Sequence, residues 1–162
     1  MGSSTVAFIP SDFEVPAVLE TAEYRLRMLT VNDVVKDFEA VVTSADHLKG
    51  IFPPPSHWPD GLTLEQDLID LGWHQKEFQR RTSFAYTMMS LDESRCLGCV
   101  YFYPSDRPDY DAYALLWVRQ SELASGLEER LLADVKRWLA EAWPFESVGF
   151  PGRDITWDAW LA

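Results

Sequence analysis

The sequence predicts a mixed α+β fold, with five strands and three main helices in the order β-α-α-β-β-β-α-β behind an N-terminal arm. Three observations carry that prediction. Period-two alternation marks the short strands, apolar residues three and four apart mark the helices, and among the last four strands a helix separates only the final two. Strands joined by tight turns pair antiparallel, whereas the last two, joined through a helix, pair parallel with a right-handed crossover. A chain of 162 residues holds one such domain with a substantial core. Its parts read as an arm over 1–22 and a single domain over 23–162.

Each element follows from local chemistry. Pro10 and Pro16 keep the first twenty residues extended, as an arm over the domain. EYRLRML (23–29) alternates polar and apolar, as a half-buried strand does. Thr30 and Asp33 make a capping pair for a helix whose inner face carries Val34, Phe38, Val41 and Val42, and which fades near Gly50. IFPPPSHWPDG (51–61) has four prolines and is a semi-rigid loop. Thr63 with Gln66 opens a second helix, with Leu64, Leu68, Leu71 and Phe78 along one face and Arg80 and Arg81 in its last turn. SFAYTMMSL (83–91), CLGCVYFYP (96–104) and AYALLWVR (112–119) are strands, the third buried on both faces.

SELASGLEERLLADVKRWL (121–139) begins the third helix. Leu127, Leu131, Val135, Trp138 and Ala142 form its core stripe, and Pro144 stops it. SVGFPG (147–152) is the final strand. The tail, RDITWDAWLA, ends in two tryptophans three apart. They pack on the domain's own sheet edge or meet a second chain, so monomer and homodimer both stand open.

A net charge of −12 argues against nucleic acid, whose phosphates demand basic stripes, and against an anionic membrane surface. It suits a cationic or amine-bearing partner. No apolar run reaches membrane-span length, and the first sixteen residues lack the basic start of a secretory leader, so a cytoplasmic protein is expected. Cys96 and Cys99 lie three apart on a strand. Regular alternation points them to opposite faces, which rules out a shared metal, and no metal site is expected.

The element order resembles that of the GNAT superfamily of N-acetyltransferases across roughly residues 23–152. So does L-x-V-x-x-x…G-L-x-x-x-L-L at the fourth strand and third helix. LGCVYFYP is similar to that fold's third strand, and ALLWVRQ to its fourth. The resemblance implies acetyl-CoA as co-substrate and an amine of a small molecule or protein as acceptor. It further implies that Trp117, Val118 and Arg119 line the pantetheine arm, while Ser125, Gly126 and Leu127 face the phosphates. A helix start suits them, because its first N–H groups lack partners and carry partial positive charge.

Acetyl transfer to an amine needs a base and a proton donor. Asp111 and Glu122 are the carboxylates flanking the fourth strand, and Tyr103 offers a hydroxyl from the third. The phosphate loop departs from the family pattern. Leu123 stands where its first glycine belongs and Ser125 where its second small residue belongs, with Gly126 one place later. No tyrosine follows Tyr113, so the family's usual general acid is missing from its place. Ser125 with Glu128 also spells a capping box that needs no ligand. A non-catalytic GNAT-like binding or regulatory domain is therefore the alternative to an acetyltransferase. An acidic residue at position 126 is expected to leave stability nearly unchanged, because it suits a helix N-terminus.

Overall fold

A computed structural model describes residues 7–162, so the first six residues of the arm lie outside the described residues. The arm does more than lie over the domain. Its segment Val18–Glu20 is strand β1, which pairs antiparallel with β2 (Arg25–Met28). The sheet therefore has six strands, in the spatial order β1-β2-β3-β4-β5-β6. Strands β3 (Phe84–Met89), β4 (Cys96–Pro104) and β5 (Ala112–Val118) continue antiparallel, and β6 (Val148–Gly149) pairs parallel with β5.

One face of the sheet packs against α1 (Val34–Val42), α2 (Ala45–Leu48) and α3 (Leu64–Arg80), around Leu29, Val41, Leu71, Tyr101 and Trp117. The other face packs against α4 (Leu127–Ala142) and the arm. In α4 the buried stripe runs through Leu127, Leu131, Val135, Trp138 and Leu139. The arm is held by polar ties as well as apolar contact. Arg81 donates to the carbonyls of Pro10 and Phe13 at 2.8 Å each, and the Tyr86 hydroxyl donates to that of Pro16 at 2.6 Å. Trp117, fully buried in β5, anchors the opposite face; truncation to alanine is expected to cost about 3–5 kcal/mol.

Three expectations are corrected. The capping pair before α1 forms, with the Asp33 carboxylate accepting from the Thr30 N–H at 2.9 Å. Yet the buried face of α1 is Asp37, Ala40 and Val41, and Val42 is exposed. On α3, Thr63 accepts from the Gln66 N–H at 3.1 Å, but Leu64 and Leu68 face solvent and Asp67 joins Leu71 inside. Lastly, Met88 pairs with Gly98 and Met89 with Cys96, leaving Leu97 as an extra residue in β4. That bulge puts Cys96 and Cys99 on the same face, with Leu97 on the other. Burial pushes the Cys96 thiol up to about 12 and raises Cys99 as well.

The tail turns back on its own domain. Its helix α5 (Trp157–Leu161) buries Trp160 against Tyr110 and Tyr113, at ring separations of 5.0 and 5.4 Å. Among the described residues, no helix is long and apolar enough to cross a membrane.

Candidate active site

The β5–β6 ladder consists of two pairs, Ala112 with Val148 and Tyr113 with Gly149. Beyond them the strands part, and α4 begins beside the gap. A short 3-10 turn over Gln120–Ser125 leads into Gly126, whose φ of 80° and ψ of 15° lie in the left-handed region that glycine adopts freely. The expected Ser125–Glu128 capping box does not form. Ser125 instead donates to the Glu122 carbonyl at 2.8 Å, and Gly126 occupies the N-cap position. Among the described residues no side chain caps α4, and its first backbone bond runs from the Arg130 N–H to the Gly126 carbonyl. The amides of Leu127, Glu128 and Glu129 precede that bond, at the positive end of the helix. Because of the positive φ, aspartate at 126 costs roughly 1–2 kcal/mol of strain, contrary to the expectation from charge alone.

Side chains of both signs surround this turn. The Glu128 carboxylate lies 3.5 Å from His47 Nε2 and 3.4 Å from the Arg153 guanidinium. Arg153 also reaches into the gap and donates to the Leu116 carbonyl of β5 at 3.0 Å. A cavity of about 180 Å³ is lined here by His47, Lys49, Glu128, Gly152, Arg153 and Trp157. Arg130, from the next turn, donates to the Ser125 carbonyl at 2.6 Å and grips Glu23 at 2.8–2.9 Å.

The residues picked from sequence are scattered around this point. Gly126 and Leu127 form the helix start itself, with Leu127 buried in the core. The Trp117 side chain points under the helices on the α1 face, where its indole N–H donates to the Tyr101 hydroxyl at 2.9 Å. Val118 is buried on the α4 face. Arg119 clasps Glu39 of α1 with bonds of 2.9 and 2.6 Å and donates to the Cys96 carbonyl at 3.0 Å. That clasp holds the Glu39 carboxyl below its usual range. Asp111 accepts from the Glu146 N–H at 2.6 Å and the Ser147 N–H at 3.4 Å, fastening β5 to the entry of β6. Glu122 lies in the 3-10 turn, 3.5 Å from Arg95. Tyr103 stacks between Tyr101 and Tyr113, and burial pushes its hydroxyl well up.

Sequence reasoning missed a second cavity, of about 220 Å³, between α1, α3, β4 and the proline-rich loop. Asp37, Asp67, Asp70, His74, Phe52, Trp58 and Tyr101 line it. The loop contributes Phe52 and Trp58 to this wall, while His57 is exposed. Burial, then the neighbouring Asp67 carboxyl, raises the Asp37 carboxyl well above its ordinary range; burial raises Asp67 too. Burial also depresses His74, favouring its neutral form. The available signal was an acidic residue on each helix at a position in phase with the apolar stripe.

No protein-family model and no curated protein matches the sequence. Solved structures do. A ribosomal-protein-S5-alanine acetyltransferase from Vibrio fischeri superposes with a TM-score of 0.62 at 17% identity, over 78% of this chain and 69% of that one. RimL, a ribosomal L7/L12 α-N-protein acetyltransferase in complex with coenzyme A, gives 0.59 at 17% identity, over 75% and 67%. The microcin C7 self-immunity acetyltransferase MccE, in complex with acetyl-CoA and AMP, gives 0.62 at 11% identity, over 79% and 70%. At such identities the shared property is architecture, and the architecture of this chain is the GNAT acetyltransferase fold.

Proposed function

We propose that the protein is an N-acetyltransferase that transfers an acetyl group from acetyl-CoA to a primary amine of a small molecule or protein. The observation that carries this reading is the uncapped start of α4 beside the parted strands β5 and β6. The amides of Leu127 to Glu129 suit a diphosphate, and the Leu116 carbonyl suits an amide of the pantetheine arm. The Arg153 guanidinium holds that carbonyl in the free protein and is released toward the phosphates as the arm enters. Lys49 adds positive charge at the same cavity.

In the transfer, the amine nitrogen attacks the thioester carbonyl carbon, the carbon–sulfur bond breaks, and the amine proton passes to a base. Glu122, paired only at 3.5 Å with Arg95, is the freest of the carboxylates picked from sequence. Asp111 carries two backbone bonds, and Tyr103 is the hydroxyl on offer. The departing thiolate has a thiol-like pKa and leaves readily. A cytoplasmic setting belongs to the proposal; both thiols are unpaired, as a reducing compartment keeps them.

The Arg153–Leu116 bond and the Glu128 carboxylate favour a second reading, a GNAT-like binding domain that has closed its coenzyme gap. Calorimetric titration with acetyl-CoA separates the two. Saturable heat, weakened at least about tenfold by Arg153→Glu, supports the enzyme. No heat from the wild type at millimolar ligand overturns it.

A further inference from the structure

The sheet's helical face holds a site built from charge that the acyl-transfer reading does not use. Asp37 is 4% exposed and Asp67 is 2% exposed, and the two side chains, one from α1 and one from α3, line the same cavity. Asp67 Oδ2 is buried and has no hydrogen-bond partner among the described residues. A buried carboxylate oxygen left bare costs free energy unless a donor reaches it. Asp67 is one of the residues that line the 220 Å³ cavity, whose volume far exceeds the roughly 10–15 Å³ that one water requires.

The walls name the kind of donor. Phe52 meets Trp58 edge-on at 5.0 Å and Tyr101 at 5.2 Å, so two aromatic walls adjoin the carboxyl pair. Asp70 and neutral His74 complete the lining from α3. Aromatic faces with buried carboxylates attract organic cations. Among the described residues, no three His, Cys, Asp or Glu side chains converge to ligate a metal ion.

We infer that this cavity binds a small primary alkylammonium group, its N–H bonds directed at Asp37 and Asp67 and its carbon chain against Phe52, Trp58 and Tyr101. Two adjacent buried carboxyls hold one proton between them. The entering ammonium takes that proton's place, and the proton leaves to solvent. The groups facing the pair are Asp70 and His74 of α3, Asp33 before α1, and Cys96, Cys99 and Tyr101 of β4. An amine held this way stays protonated and is no nucleophile. On the acyl-transfer reading, on which this role rests, the site anchors a second cationic group of the acceptor, so that the substrate is a diamine or carries a lysine-like arm.

Titrating the full chain with butylammonium chloride and with butanol tests the site without coenzyme, so its failure is separate from failure of the acetyl-CoA titration. The expected result is saturable binding of butylammonium and none of butanol. Proton release should appear as heat that differs between buffers of different ionisation enthalpy. Asp67→Asn and Asp37→Asn should each weaken binding at least about tenfold. Thermal melts report whether each variant is folded, and Asp70→Asn at the same cavity gives a further variant with a smaller expected loss. Equal binding of butanol, no saturation by the wild type, or folded asparagine variants that bind as the wild type does overturns the proposal.

Discussion

Two cavities of this protein are built from opposite charge and by different means. The one at the start of α4 draws its positive character from backbone amides, seconded by Arg153 and Lys49, at the place where the sheet is thinnest. The one between α1 and α3 draws its negative character wholly from side chains, buried where two helices cross over a complete part of the sheet. A site of the first kind needs only a turn and a gap. A site of the second kind keeps charge out of water, and it persists because the surrounding packing holds it there.

The comparison breaks most visibly at β6. A side chain at Gly149 meets the Trp160 ring at 2.6 Å, so Gly149→Val drives α5 off the strand. We expect a loss of about 1–3 kcal/mol in a urea melt and weaker coenzyme binding, with butylammonium affinity unchanged.

Asp37→Asn sharpens the comparison from the acidic side. The folded pKa of Asp37 lies above its unfolded value, so the stability tied to its protonated form is fully present below about pH 3.9 and is lost as pH rises through the folded value. Glu39, Glu93 and Asp92, whose pKa values are lowered, act in the opposite sense. The difference in melting temperature between wild type and Asp37→Asn should therefore grow in favour of the variant from acid to alkaline pH. A flat difference removes the burial argument.

Smaller effects belong to the α4 turn. Gly126→Ala is expected to cost about 1 kcal/mol by denaturant titration, because its Cβ enters a left-handed residue. Glu128→Gln removes a carboxylate from the anion-seeking turn; on the enzyme reading, coenzyme affinity should improve by the equivalent of about 0.3–1 kcal/mol, read by calorimetry.

Much of the architecture was legible in the chain. The spans of β3, β4, β5 and α3 and the end of α4 follow from alternation, helical spacing, Thr63 and Pro144, and the parallel last pair follows from its helical connection; residues 121–125, read as the start of the third helix, form a separate 3-10 turn before Gly126. Strand β1 was hidden because three residues just after Pro16 carry too little alternation to stand out. The Leu97 bulge was hidden because the local pattern of CLGC is equally apolar on both faces. For the site, Gly126 advertised the turn, but Arg153 lies far along the chain and meets Leu116 only through tertiary folding. Asp37 and Asp67 were passed over because an acid among helical apolar residues ordinarily faces solvent.

The extra residue in β4 has a reach beyond its own strand. It presents two successive carbonyls to one arginine: the Arg119 N–H takes that of Leu97 and its guanidinium takes that of Cys96, while the same guanidinium holds Glu39. Two residues before Glu39, on the same helix, stands Asp37. A shift of phase in one strand is thus passed along a single side chain to fix where a neighbouring helix sits. Deleting Leu97 should slide that helix and disperse the pocket beneath it, although no residue of the pocket has been altered.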